Sequence, residues 1–170
     1  MKLPSKLKNF DLFQNGESWL GQVPSVTLPK LTRKMEDYVA GGMAGPVEID
    51  LGQEKLELAF TAGGLLKSAL DQYGATAVDA VGLRFAGAYQ SDSTSGYSAV
   101  EVAVRGCYKE FDPGDAKTQN DTEHKFTVPC SYYRLSIDGV PVIEIDMLAN
   151  KVVVNGVDRT AAQRAAIGHW

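Results

Sequence analysis

The chain is poor in the residues that form disulfides and metal sites. Its 170 residues include only two cysteines and two histidines. Cys107 and Cys130 lie in apolar, strand-like contexts, which favour buried thiols in a reducing compartment over a disulfide framework. No close spacing of Cys and His is present, so the sequence predicts no metal site. A chain of this length can bury an ordinary hydrophobic core without disulfides or a structural metal.

The scarcity of histidine also argues against enzyme chemistry. His124 lies in the charged segment NDTEHK, and His169 is next to the last residue, so neither has the setting of an oriented base. A hydrolase that uses His124 is a remote alternative, because no nucleophile-elbow motif accompanies it. The glycines at positions 41, 42 and 45 lack the Lys-Ser/Thr of a phosphate loop and precede the strand-like segment VEIDL. We therefore predict neither a catalytic site nor a cofactor.

Two pairs of acidic residues resemble the paired carboxylates of a glycosidase. They are Glu48 with Asp50 and Glu144 with Asp146. In each pair the two acids share one face of a predicted strand, beside an isoleucine that we expect to point inward. This pattern favours two solvated strand faces over a catalytic pair.

Long apolar runs and strong positive charge are missing as well. The sum of 17 basic and 21 acidic side chains gives a formal net charge of −4, with no run of like charge. Nothing in this balance is suited to binding nucleic acid through its phosphates. No segment reaches the roughly 18 apolar residues of a membrane span, and MKLPSKLKNFDLF has no secretion-signal core. We expect a protein without a membrane anchor, cytoplasmic where it is made.

What the sequence does contain is a period of two, typical of half-buried strands. EKLELAF predicts a strand with Leu56, Leu58 and Phe60 inward. AVGLRFAGAYQ and YSAVEVAVRG predict two strands that pair antiparallel across a polar loop at 91–96. Their inward residues are Leu83, Phe85, Val100, Val102 and Val104. Asn15-Gly16 and Asp138-Gly139 each predict a tight hairpin turn.

The segment HKFTVPCSYYRLSIDG changes face along its length. Phe126, Val128, Cys130 and Tyr132 share one parity, whereas the later Leu135 and Ile137 share the other. A slip of one residue moves side chains to the opposite face, so we expect a β-bulge near Tyr133. Pro129 places the strand at a sheet edge or beside that bulge.

Only two segments predict helices. GGLLKSALDQYGA has an apolar stripe of Leu66, Ala69, Leu70 and Tyr73 that ends near Gly74. RTAAQRAAIG predicts a short C-terminal helix capped by Asp158, which needs a surface to pack on. We therefore expect one mainly β domain over residues 1–170. Its fold class is an antiparallel β-sandwich or open barrel with one packed helix.

The segment PKLTRKMEDYVAGGMAGP, residues 29–46, shows neither helical nor strand periodicity. We expect residues 31–45 to form an extended loop, longer than loops usually are unless they have a function. Basic residues come first in this loop, and acidic residues follow them. Such a segment can complement a copy of itself head to tail. Its candidate interface residues are Lys30, Arg33, Lys34, Glu36, Asp37, Tyr38 and Met43.

Several long strings give the chain a family resemblance. SVTLPKLTRKMEDYVAGGM, PVEIDLG, VDAVGLRFAGAYQSD, VEVAVRGCYKEFDPGD, YYRLSIDG and NGVDR resemble the major tail tube protein of contractile-tailed bacteriophages. The tube subunit of R-type bacteriocins is similar. The likeness runs from about Leu3 to Gly168 in the same order, and the family has no enzyme activity and no cofactor.

The resemblance implies hexameric rings whose strands join into an inner β-barrel. The rings would stack into a tail tube inside a contractile sheath and conduct DNA through the host envelope, with residues 31–45 reaching the next ring. Implied partners are further copies of the chain, the tail sheath protein, the tape measure protein, and the baseplate and tail terminator proteins. DNA would pass without specific binding. The protein would be assembled in the host cytoplasm and located in the virion.

Two other readings stay open at this point. The tube of a DNA-free bacteriocin particle would have the same fold. A β-sandwich that binds glycans or a receptor would instead need an exposed aromatic cluster. The candidates for that cluster are Tyr97, Tyr108, Tyr132 and Tyr133, although alternation places Tyr132 in the core.

Overall fold

The computed structural model describes residues 1–169 and is mainly antiparallel β-structure, as the sequence predicts. Trp170, for which the sequence indicates no role, lies outside the described residues. In chain order the elements are β1 (Ser5–Gln14), β2 (Glu17–Ser18), β3 (Ser25–Thr27), β4 (Arg33–Tyr38), β5 (Val47–Gln53), β6 (Leu56–Ala62), α1 (Lys67–Leu70), β7 (Val81–Ser91), β8 (Tyr97–Gly106), β9 (Glu110–Asp112), β10 (His124–Ile137), β11 (Val140–Asp146), β12 (Lys151–Val154), β13 (Val157–Asp158) and α2 (Ala161–Ala166).

The main sheet has the strand order β13-β12-β11-β10-β8-β7-β1-β2. The long strand β10 belongs to two layers. Its second half pairs with β8 and β11, whereas its first half pairs with β6 and β9, and β6 in turn pairs with β3. The two layers share one apolar core, which gives the predicted sandwich.

The predicted hairpins form at the predicted turns. Asn15 and Gly16 have φ angles of 48° and 87°, and Asp138 and Gly139 have φ angles of 51° and 80°. These left-handed conformations are the ones that a two-residue hairpin turn needs. The sequence therefore located both turns correctly.

Alternation along the inner strands fills the core as expected. Leu56, Leu58 and Phe60 of β6 are buried, and they alternate with partly buried neighbours. The antiparallel pair of β7 and β8 is confirmed. Of its predicted inward residues, Val100 alone is only partly buried. The rings of Phe60 and Phe126 stack with centroids 4.9 Å apart, which joins β6 to β10 inside the core.

Strand β10 changes face as predicted, but two residues earlier. Its register with β8 shifts between Cys130 and Tyr132, beside Pro129 and away from any sheet edge. Tyr133 is therefore buried and Tyr132 only partly so, which corrects the prediction that Tyr132 belongs to the core. The strands come very close at this point: a Cβ on Gly106 would lie 2.0 Å from the Pro129 carbonyl oxygen.

Both helices are shorter than their sequence patterns suggest. In α1, Leu66 and Ala69 are buried, but Tyr73 lies beyond the helix and is 60% exposed, so the predicted stripe is wrong at its last position. In α2, Thr160 occupies the cap position without a side-chain hydrogen bond, and Asp158 is not the cap. Asp158 instead accepts hydrogen bonds from the Thr160 N–H and from Arg164.

The segment between β3 and β6 differs most from its prediction. The expected loop at 31–45 is the first half of a β-hairpin, in which β4 and β5 form a two-stranded sheet of their own. We call residues 33–53 the arm. The Glu54 N–H donates to the Thr32 carbonyl at 2.9 Å, so the two ends of the arm meet at its base.

Candidate assembly surfaces

The arm carries nearly all of the predicted interface residues on one hairpin. The residues from Arg33 to Tyr38 form β4, and every one of them is exposed. Met43 lies in the turn at the tip, where its N–H donates to the Ala40 carbonyl at 3.2 Å. Lys30 precedes the arm and is exposed. The structure thus brings the candidates together on one exposed element.

Most charges on the arm have no ion-pair partner in the described part of the chain. Arg33 Nε lies 2.9 Å from Asp50 Oδ2, and this is the one ion pair of the arm within residues 1–169. The Arg33 hydrogen bond, with help from the Gly52 N–H, lowers the pKa of Asp50 from its ordinary value. The remaining charged side chains of the arm are Lys34, Glu36, Asp37 and Glu48, and all are exposed. They are available to groups outside the chain.

An apolar stripe on the arm was missed by sequence reasoning. Val47, Ile49 and Leu51 alternate along β5 with exposures of 51%, 43% and 52%. The expectation that Ile49 points inward beside its acids is wrong, whereas Ile145 beside Glu144 and Asp146 is buried. The alternation was visible in VEIDL, but the sequence could not reveal that β5 has no core beneath it. Exposed apolar residues that are not covered by their own subunit mark an interaction surface.

The pairing of the arm fixes which side chains share a face. Glu36 lies opposite Ile49, and Tyr38 lies opposite Val47. Since directly paired residues point to the same face, Tyr38 adds its ring to the apolar side of the hairpin. The arm therefore presents a mixed apolar and charged face, which is typical of a protein interface.

Features that would indicate a ligand site are weak in the rest of the described chain. His124 packs edge-on against Phe111, with ring centroids 5.4 Å apart, and its Nδ1 is buried without a hydrogen-bond partner. No group of three metal-ligating side chains occurs in residues 1–169. Burial raises the pKa of the Cys130 thiol to about 12, while Cys107 is partly buried, and both are unpaired thiols. Neither helix of residues 1–169 is long and apolar enough to cross a membrane.

The four tyrosines proposed for a glycan-binding surface do not form one exposed cluster. Tyr108 and Tyr133 are buried, and burial raises the pKa of both. Tyr132 lies beneath the guanidinium of Arg105, which is 3.9 Å from its ring centre. Tyr97 is exposed. This arrangement removes the structural basis for that alternative.

A protruding arm and exposed strand edges are typical of a structural subunit that assembles with other chains. The family model for phage tail tube protein FII matches residues 4–168. The chain belongs to the phage tail tube protein family, and its role is that of a structural component of a tail tube. Tail tube proteins of this family are components of the virion.

Two relatives support this assignment. The chain is 47% identical to the tail tube protein of Escherichia phage P2 over 171 residues, covering 99% of each chain. It is 43% identical to the major tail tube protein of Serratia phage KSP20 over 150 residues, covering 87% of this chain and 86% of the relative.

Solved structures of similar shape come from contractile injection systems. A chain of the sheath/tube terminator of the extracellular system PVC has a TM-score of 0.58 at 12% identity, covering 78% of this chain and 96% of that one. A chain of the PVC sheath-tube complex has a TM-score of 0.57 at 11% identity, covering 78% and 91%. At such low identity these structures establish a shared fold.

Proposed function

We propose that the chain forms hexameric rings that stack into the tail tube and conduct DNA during contraction of the sheath. The observation that carries this proposal is the arm, a hairpin whose apolar side chains are exposed and whose charged side chains, apart from the Arg33–Asp50 pair, have no ion-pair partner within the described residues. Within the tube family such an element needs a surface on another subunit, and a neighbouring ring supplies one.

We assign the contact between rings to the arm and its base. The assigned residues are Lys30, Arg33, Lys34, Glu36, Asp37, Tyr38 and Met43. An exposed ion pair contributes only about 0.2–1 kcal/mol, but each ring repeats the contact in every subunit. The apolar residues of β5 add the burial that ion pairs alone do not provide.

The net charge of −4 suits a conduit for DNA. An acidic subunit repels phosphate, so DNA can pass through without being held. We infer no catalytic activity and no cofactor. The proposed partners are further copies of this chain, the sheath, the tape measure protein, and the baseplate and terminator proteins. Assembly would take place in the host cytoplasm.

Electron microscopy of the purified protein tests this function. Concentrated protein should form rings or tubes of uniform width in negative stain. Because Thr32 and Glu54 meet at the base, the arm can be replaced by a two-glycine linker without separating β3 from β6. We expect this variant to fold but not to stack.

Urea unfolding of the arm-less variant is the control for its fold. Its unfolding midpoint should match that of the unaltered subunit, because the arm contributes no residue to the buried core. Long tubes from this variant would contradict the role of the arm. A protein that stays monomeric at high concentration would contradict the tube itself.

A further inference from the structure

Strand β1 has one open edge. On one side it pairs with β7 from Ser5 to Gln14, with a register shift between Leu7 and Asn9, but on the other side its pairing within residues 1–169 is with β2 at Phe13 and Gln14. The hairpin ends early because Trp19 turns into the core, although the Trp19 N–H still donates to the Leu12 carbonyl at 2.9 Å. Within residues 1–169, no strand lies beside residues 5–12 on this side.

In the second half of this edge, two side chains accept hydrogen bonds from the backbone N–H groups that a further strand would need. Asn9 Oδ1 accepts a hydrogen bond from the Phe10 N–H at 2.9 Å, and Asp11 Oδ1 accepts one from the Leu12 N–H at 2.8 Å. Local bonds of this kind compete with the pairing of another strand. The part of the edge that remains open is residues 5–8.

Strand β5 of the arm also has an open edge, since within residues 1–169 it pairs with β4 alone. Its pattern is complementary to that of β1. Lys6 lies between Ser5 and Leu7 on β1, whereas Glu48 lies between Val47 and Ile49 on β5. All of these side chains are exposed.

Lys6 and Glu48 are the charged residues at the centre of these two strand segments. Within residues 1–169, neither Lys6 nor Glu48 forms an ion pair, whereas Lys8 is held by Asp92 at 2.9 Å. Opposite charges on facing strands attract, and like charges repel. Lys6 and Glu48 are therefore the charges best placed to set the register between these two edges.

We propose that β5 from the arm of one copy pairs antiparallel with β1 of another copy, with Glu48 opposite Lys6 and Val47 opposite Leu7. This inference rests on the proposed function and names the surface that the arm binds. Each chain supplies one β5 edge and accepts one on β1. The contact is therefore head to tail and can propagate from subunit to subunit.

This register also brings the exposed apolar residues together. It places Ile49 opposite Ser5, so that these two residues share a face with Val47 and Leu7. Leu7, Val47 and Ile49 are exposed in the single subunit. Pairing would bring Leu7 and Val47 into contact.

A disulfide tests whether the two edges meet. Leu7→Cys and Val47→Cys are placed in separate chains, each with Cys107→Ser, and the two chains are assembled together and mildly oxidised. Directly opposite residues lie within disulfide reach, so a linked dimer of the two variants is expected. No dimer is expected when Val47→Cys is combined with Leu148→Cys, an exposed position on the turn after β11. Mixed tubes without the linked dimer would overturn the contact and leave the tube function intact.

Charge reversal tests the same contact without cysteine. Lys6→Glu alone and Glu48→Lys alone should each raise the protein concentration needed for assembly about tenfold, since repulsion replaces attraction. The double variant should return to within about twofold of the unaltered chain, and Lys117→Glu serves as a control reversal at an exposed loop. A double variant no better than the single ones, or single variants that assemble normally, would overturn the proposal. An unaltered chain that forms no tubes would refute the proposed function and this contact with it.

Discussion

Strands β5 and β6 follow each other in the chain and have the same alternating pattern, but they lie in opposite environments. In β6, Leu58 is fully buried between the layers of the body. In β5, Ile49 keeps 43% of its surface exposed on the arm. Alternation therefore indicates a strand with one apolar face, but it does not say whether the same subunit covers that face.

The largest expected difference between the two strands is in stability. Leu58→Ala should lower the free energy of unfolding by about 2–5 kcal/mol, because it leaves a cavity in a packed core. Ile49→Ala should change it by less than about 0.5 kcal/mol in the isolated subunit. Urea unfolding, followed by the fluorescence of the buried Trp19 at a concentration too low for assembly, measures both. Equal losses would mean that β5 is buried within its own subunit.

Glycine gives a second contrast between body and arm. Gly106→Ala should cost about 1–3 kcal/mol, because its Cβ would collide with the Pro129 carbonyl where β8 meets β10. Gly41→Ala at the tip of the arm should have almost no effect, since nothing lies within 4 Å of the added carbon. Thermal unfolding of the two variants checks this. A stable Gly106→Ala protein would contradict the close approach of the strands.

In assembly, unlike in folding, a residue of the arm should matter more than a residue of the body. Ile49→Ser should raise the concentration needed for tubes about tenfold, since burying half of an isoleucine is worth roughly 1–1.5 kcal/mol. Val78→Ser, at a position of the body that is 55% exposed, should leave that concentration unchanged. Pelleting assays over a series of protein concentrations give both values. If the two variants behave alike, β5 has no special part in assembly.

The smallest expected effect is on the pKa values of two carboxyl groups and on stability at low pH. Arg33 lowers the pKa of Asp50 on the arm, and Arg164 lowers that of Asp158 in the body to about 2. The ionised form is favoured in the folded state, so this stabilisation is present above the pKa of an unfolded Asp. It is lost as the pH falls through the lowered value. Arg33→Gln should return the pKa of Asp50 toward its ordinary range and leave that of Asp158 unchanged, as carboxyl NMR titration can show. A shift of both would mean that the arm and body are coupled.

Prediction from sequence succeeded where short-range patterns decide the structure. The Asn15-Gly16 and Asp138-Gly139 turns, the inward face of β6 and the change of face in β10 all follow from local geometry. It failed for Tyr132, because the position of the bulge depends on the register with β8. It failed for Tyr73 as well, because α1 ends after one turn.

The assembly surface was predicted only in part. The residues of β4 were identified from their charge and glycine-rich ending, and they do lie on one exposed element. The pairing of β4 with β5, and with it the apolar stripe, was missed because RKMEDY has no regular alternation of apolar residues. RKMEDY is a strand because its backbone pairs with β5. This pairing depends on the residues of β5 as well, so the pattern of β4 alone does not reveal it.

The sequence by itself determined the mainly β fold, the principal turns, the inward faces of the core strands and the family. These depend on side-chain period and on turn residues that accept positive φ angles, both of which are local. Tertiary structure alone decided that residues 33–53 leave the body as a hairpin and that half of β1 stays open. Whether an edge or an apolar face is covered depends on which distant segments lie beside it, and only the folded chain brings those segments together.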